Sequence, residues 1–240
     1  MSVSDVVGGR FVLCDQLARA GTGTVWRAWD LRHGRYCAAK LVRRRDGGDA
    51  LRFAWEQGVR LRHPHLLTPY TWVADGGRVL IASPLADGGS LRAMLDEYGP
   101  LAAPTAADLL DQLLDGLAHL HAAGVAHRGV GPATLLLDAT YTRAPRLRLA
   151  GFGRAGDGDE AEAEADLLAA GEVAAEMLRE GTAPGRLGAV VAALRAADPR
   201  DRPTARGARE ALRAQPAEPP RTAAGDRVVL LDRLPGLPPG

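Results

Sequence analysis

The order of hydrophobic and polar positions divides the 240-residue chain into a strand-rich beginning and a helix-rich remainder. Phe11, Val12 and Leu13 form a short apolar run, and Val25 and Trp26 follow after a glycine-containing turn. Val79, Leu80 and Ile81 form another such run, and all three predict strands. Between them Leu51, Trp55 and Val59 recur at i, i+4 and i+8, which predicts a helix with one apolar stripe. Ala106, Leu109, Leu110, Leu113, Leu114, Leu117 and Leu120 repeat at 3- and 4-residue steps and predict a long amphipathic helix. Thr105 and Asp108 have the spacing of a capping box at its start, and Gly124 lies just past its end. Two further helices fit Leu187 to Ala197 and Thr204 to Ala214. Periodicity alone therefore gives an α+β class, and no internal repeat is present.

Charge and composition narrow the class of function. A net charge of +1 offers no long-range attraction to nucleic acid or to a membrane surface. No apolar run approaches the ~20 residues that span a bilayer, and no basic start precedes an apolar core. These features predict a cytoplasmic protein with no nucleic-acid partner and no membrane insertion. The two cysteines, Cys14 and Cys37, lack metal-ligand spacing, and their sparseness fits a reducing compartment. Arg is plentiful, Asn is absent and Lys40 is the single lysine. Either one lysine survived a compositional drift by chance, or an ammonium is needed there that a guanidinium does not replace.

Residues His127 to Asp138 read His-Arg-Gly-Val-Gly-Pro-Ala-Thr-Leu-Leu-Leu-Asp. This stretch resembles the catalytic loop of eukaryotic-type Ser/Thr protein kinases, His-Arg-Asp-x-x-x-x-Asn followed by an apolar strand. On that resemblance the base Asp falls on Gly129, the loop Lys on Gly131 and the metal-holding Asn on Thr134. Leu147 to Gly153 is similar to the strand and Asp-Phe-Gly turn of the family, with Gly151 in the place of the metal-binding Asp. Leu17 to Asp30 resembles the Gly-rich loop, with Ala18 and Ala20 at the first two glycine positions and Gly23 at the third. Lys40 follows Val25 by fifteen residues, the family's interval to its phosphate-binding lysine. The resemblance implies that Ala18, Ala20, Gly21, Gly23, Val25, Lys40, Glu56 and Ala86 line a nucleotide site. Glu56 has two readings: the helix acid that pairs with Lys40, or an exposed i,i+4 partner of Arg60. Ser83-Pro84-Leu85-Ala86 matches the hinge between lobes, where Pro84 lacks an N–H and Ala86 retains one.

Later parts of the chain continue the resemblance and depart from it. Asp166 matches the acid that accepts backbone N–H groups from the catalytic loop, and Arg202 matches an arginine whose glutamate partner this chain lacks. His119 and His121, two apart, are expected to face different directions as structural residues. The Gly, Ala and acid run from Gly156 to Asp166 reads as a solvated loop, or as a source of substitute metal ligands. Asp166 follows Gly151 by only fifteen residues, and no Ala-Pro-Glu occurs, so the activation segment is shortened.

The expected architecture is a two-lobed protein-kinase-like fold with a small β-rich N-lobe and a mainly helical C-lobe. Its parts are a flexible lead over 1–9, the N-lobe over 10–86, the C-lobe over 87–214 and a disordered proline-rich tail over 215–240, in which Val228 to Leu231 can dock or form an edge strand. The expected function is a pseudokinase that has no catalytic residue and no metal site and works by binding another protein. Active kinases and products of neighbouring genes are the candidate partners. It takes no cofactor, or weakly bound ATP or ADP without metal. The alternatives are a Ser/Thr kinase with residual or unconventional ATP-dependent phosphotransfer, and a folded remnant with no partner.

Overall fold

A computed structural model describes residues 6–20, 23–43, 61–139, 145–152, 154–178, 185–214 and 219–234. The expected helix around Leu51 to Val59 lies outside them, as do Gly21 and Glu56. Six antiparallel strands form the small lobe: β1 (Val6–Val7), β2 (Phe11–Ala20), β3 (Gly23–Asp30), β4 (Arg35–Arg43), β5 (Thr71–Asp75) and β6 (Arg78–Ser83). Their order in the sheet is β1-β2-β3-β4-β6-β5. The sheet curls until its edges approach, and Gly8 N donates to Asp75 Oδ2 at 3.0 Å. Alternation of side chains puts Val7, Phe11, Leu13, Ala28, Cys37, Ala39, Leu80 and Ala82 on the enclosed face. The expected flexible lead is thus corrected at its end, because Val6–Val7 pairs with β2 and Val7 is fully buried.

Asp30 closes the β3–β4 turn from within. Its carboxylate accepts from Arg10 Nε (2.9 Å), Tyr70 Oη (3.0 Å) and Arg32 N (3.0 Å), and His33 Nδ1 lies 2.8 Å away. Burial alone would raise this carboxyl, but hydrogen bonds from Arg10, His33 and Tyr70 outweigh it and hold the group well below the usual carboxylate range. Neighbouring Cys37 is a buried free thiol, pushed up to about 11 by desolvation, and Cys14 is also free.

Among the described residues, five α-helices build the large lobe: α1 (Leu91–Tyr98), α2 (Ala103–Ala122), α3 (Glu160–Leu178), α4 (Gly185–Leu194) and α5 (Ala205–Leu212). All seven apolar positions of the long periodic stretch are buried on α2, which is the axis of the core. Met177 on α3, Leu194 on α4 and Leu212 on α5 close around it. Gly124 takes φ +70° just past α2, as its place predicts. The start of α2 differs from expectation: the helix begins at Ala103 with no side-chain cap, because Pro104 in its first turn has no N–H to satisfy. Thr105 Oγ1 instead accepts from Arg221 N (2.9 Å), and Asp108 Oδ1 accepts from Gln112 Nε2 (3.1 Å).

Short strands β7 (Val125–Ala126), β8 (Leu135–Leu137), β9 (Leu147–Leu149) and β10 (Gly156–Asp157) lie between α2 and α3. β8 pairs with β9, and β10 with β7, all antiparallel. The acidic run expected as a loop is corrected: it forms β10 and the first turns of α3. Asp159 Oδ1 accepts from Glu162 N (3.0 Å) while Glu162 Oε2 accepts from Asp159 N (3.2 Å). This reciprocal cap, and the acids themselves, stabilise a helix N-terminus. The tail is corrected as well. Residues 219–234 lie on the large lobe, with Val228 and Leu230 in its core.

Candidate functional site

The site is assembled around Asp166 on α3. Its Oδ2 accepts from His127 N (2.7 Å) and its Oδ1 from Arg128 N (2.8 Å), while His121 Nε2 lies 3.2 Å from Oδ2. Arg128 adopts φ +57° in the loop thus held, and its guanidinium reaches Glu162 Oε2 at 2.6 Å. His119 does not join this cluster; its ring stacks on His63, with centroids 5.0 Å apart.

His127 is fully buried, with its ring edge-on to Phe152 at 4.9 Å between centroids. Nε2 lies 3.1 Å from Ala150 O, so this nitrogen carries the proton and donates. Nδ1 is buried with no hydrogen-bond partner among the described residues. Burial lowers the imidazole's proton affinity and keeps it neutral.

The expected positions of the base and metal ligands converge in space. Thr134 Oγ1 donates to either Gly129 O (2.8 Å) or Gly131 O (2.9 Å), so the hydroxyl is turned onto its own loop. Thr134 O accepts from Ala150 N at 2.8 Å, which draws the residue before Gly151 against the loop. A Cβ on Gly151 would lie 3.0 Å from Thr134 Cγ2, and Gly151 has φ +88°. The two other glycines are under no such constraint. A Cβ on Gly129 would meet His127 Nδ1 and Cε1 at 3.7 Å, an ordinary contact, and one on Gly131 would meet nothing.

On the sheet, register aligns Ala18, Val25, Lys40, Ile81 and Trp72 in one row across five strands. Directly opposed residues share a face, so Lys40 and Val25 lie on the outer face of the curled sheet. Lys40 is half-buried, and desolvation pushes its ammonium down from the ordinary value. The backbone of Ala20 pairs with Gly23 beside the tip of the loop. Gly23 has a structural reason of its own: a Cβ there would sit 2.5 Å from Leu41 O and 2.6 Å from Val42 Cγ1. Its retention therefore reports close sheet packing and carries no information about phosphate. Ala86 follows the end of β6, and its N–H makes no hydrogen bond among the described residues.

Residues 11–186 match the protein kinase domain. The chain belongs to the protein kinase family. It is 36% identical over 150 residues to Serine/threonine-protein kinase PkaA of Streptomyces coelicolor, covering 56% of this chain and 28% of that protein. It is 34% identical over 140 residues to Serine/threonine-protein kinase PknL of Mycobacterium tuberculosis, covering 56% of this chain and 35% of that one. The chain thus spans about a third of the length of these curated relatives. Its fold is similar to the crystal structure of Rad53 1-466 in complex with AMP-PNP, with TM-score 0.72, 16% identity and coverage of 83% of this chain and 64% of that one.

Within this kinase domain, the loop positions do not fit a divalent metal. Gly129 and Gly151 offer no side-chain ligand, and the Thr134 hydroxyl is turned onto the carbonyls of its own loop, leaving one weak neutral oxygen where the family has a carboxamide. Glu162 is occupied too, in a helix cap and an ion pair with Arg128. Among the described residues no group of three or more His, Cys, Asp or Glu side chains is placed to hold a metal ion. The short segment after Phe152 runs through β10 directly into α3. Arg202 has replaced its absent glutamate partner by carbonyls, donating from Nε to Ala196 O (3.0 Å) and from Nη1 to Glu164 O (3.1 Å). Sequence reasoning missed that the C-terminal segment reaches the chain just after Ala86, where Arg233 N donates to Asp87 O at 2.7 Å. No helix among the described residues is long and apolar enough to cross a membrane.

Proposed function

We propose that this kinase-family chain is a pseudokinase, a catalytically inert module that acts in the cytoplasm by binding another protein. An active kinase or the product of a neighbouring gene is the partner class. The observation that carries the reading is the convergence of Gly129, Thr134 and Gly151, none of which carries a carboxylate or carboxamide. A general base contributes about 10²–10⁴ in rate. Protein-held Mg²⁺ supplies the charge neutralisation on which phosphoryl transfer depends. One site has lost the side chains for both, and the segment after Phe152 is too short to form a docking platform for a substrate peptide.

A second reading, residual phosphotransfer, draws on Lys40, which keeps its place opposite Val25, and on relatives that are Ser/Thr kinases. Calorimetric titration with ATP, with and without Mg²⁺, separates the two. The pseudokinase reading expects weak or no binding and no gain from the metal. Tight binding strengthened by Mg²⁺ would count against it.

A further inference from the structure

Residues 219–234 form an extended strap on the large lobe. At its start Ala102 N donates to Arg221 O (2.9 Å), beside the bridge between Leu101 and Thr222. Midway, Tyr98 Oη donates to Val229 O (2.9 Å), and Val228 and Leu230 are 2% and 0% exposed. At its end Arg233 N donates to Asp87 O (2.7 Å), and the Arg233 guanidinium pairs with Glu97. The stem of Arg233 lies over Gly89, where a Cβ would come within 2.7 Å of Arg233 Cδ.

Asp87 to Gly89 is the backbone that leaves the small lobe after Ala86. Its inner side is already held by the large lobe: Asp87 Oδ1 accepts from Ala139 N (2.6 Å), Gly88 N donates to Leu137 O (2.8 Å), and Leu137 N donates to Gly89 O (2.9 Å). The strap supplies the outer side. We propose that the C-terminal strap is a clamp on the inter-lobe hinge, so that its seating fixes residues 87–89 and its withdrawal frees the pivot of the small lobe. The anchoring supports a releasable device. The hinge-side half of the strap, from Val228 to Arg233, is held by two buried aliphatic side chains and a few hydrogen bonds, and can open locally while the helical core stays folded. This clamp does not depend on whether the site transfers phosphate.

Amide hydrogen exchange on the full chain tests it, reading Gly88 and Leu137 against Leu113 and Leu114 in the middle of α2. Leu230→Ala withdraws the deepest anchor, and Arg233→Pro removes the N–H that donates to Asp87 without touching the core. Exchange at Gly88 and Leu137 is expected to accelerate about tenfold or more in both variants, with Leu113 and Leu114 unchanged. Should Leu230→Ala fail to fold, Arg233→Pro decides alone. Hinge amides that keep their original rates, or that accelerate only in step with Leu113 and Leu114, would overturn the clamp.

Discussion

Restoring a carboxylate at Gly151 and at Gly129 has different structural consequences, and the difference is measurable. Gly151 sits at φ +88°, where a side chain is strained whatever the space around it. Holding a non-glycine residue in such a conformation costs about 1–3 kcal/mol. The aspartate Cβ would also press on Thr134 Cγ2 at 3.0 Å, and Thr134 is restrained by its hydroxyl bonds to Gly129 O and Gly131 O. For a chain of this size each kcal/mol lowers the melting temperature by about 2–4 °C, so Gly151→Asp should lose about 2–12 °C. Gly129 lies outside the left-handed region, and its new Cβ would meet His127 at 3.7 Å. Gly129→Asp should therefore keep the melting temperature or raise it by up to about 4 °C, since a side chain at a compatible glycine also restricts the unfolded chain. Scanning calorimetry of the two single variants is the assay. Melting of Gly151→Asp at the original temperature, or an equal loss in Gly129→Asp, would refute the reasoning.

Asp166→Ala leaves the buried N–H of His127 without its acceptor, at about 1–3 kcal/mol, and also removes the acceptor of the part-buried Arg128 N–H, so a fall in urea-unfolding stability of at least about 1–3 kcal/mol is expected. A loss below about 1 kcal/mol would show that the loop does not depend on this anchor. Stability should also fall as pH drops below about 6.5, because buried His127 binds its proton less readily in the folded than in the unfolded chain. Half-buried His63, also lowered by desolvation, adds to this with the same sign, while the depressed Asp30 carboxyl keeps its contribution until about pH 4 and loses it below. Urea midpoints at pH 7.5 and pH 5 check the sign, and a higher midpoint at pH 5 would contradict it. The triple reversion Gly129→Asp, Thr134→Asn and Gly151→Asp, if it folds, should gain Mg²⁺-dependent ATP affinity by calorimetry yet not phosphorylate peptides. Vigorous peptide phosphorylation by it would show that the short segment after Phe152 is no barrier.

Much of this architecture was legible because single residue types enforce it. The leucine spacing of α2 admits one buried face, and all its positions are buried. The fifteen-residue interval from Val25 to Lys40 became direct cross-strand pairing. Asp166 was read as an acceptor for loop amides, and two of them are bound. Other features were obscured by composition. The proline-rich character of the tail suggests disorder, yet its Val228–Leu231 stretch, expected to dock or to form an edge strand, does dock, and net acidity hid the Asp159–Glu162 cap. Thr105 and Asp108 had capping spacing, but Pro104 made the cap unnecessary. Gly23 matched a phosphate-loop glycine, while the close approach of β4 gives a sufficient reason for it. Gly23 was decided by a tertiary neighbour on β4, whereas the Asp159–Glu162 spacing, Pro104 and the Val228–Leu230 alternation are local patterns present in the sequence.

Phosphate incorporation from labelled ATP tests the central claim most directly. The purified chain, and its Lys40→Ala variant as control, would be assayed on themselves and on generic protein substrates with Mg²⁺ or Mn²⁺. The account predicts incorporation at background in both proteins, because none of Gly129, Thr134 and Gly151 carries the carboxylate or carboxamide that phosphoryl transfer uses at those positions. Incorporation above background that disappears in Lys40→Ala would contradict it.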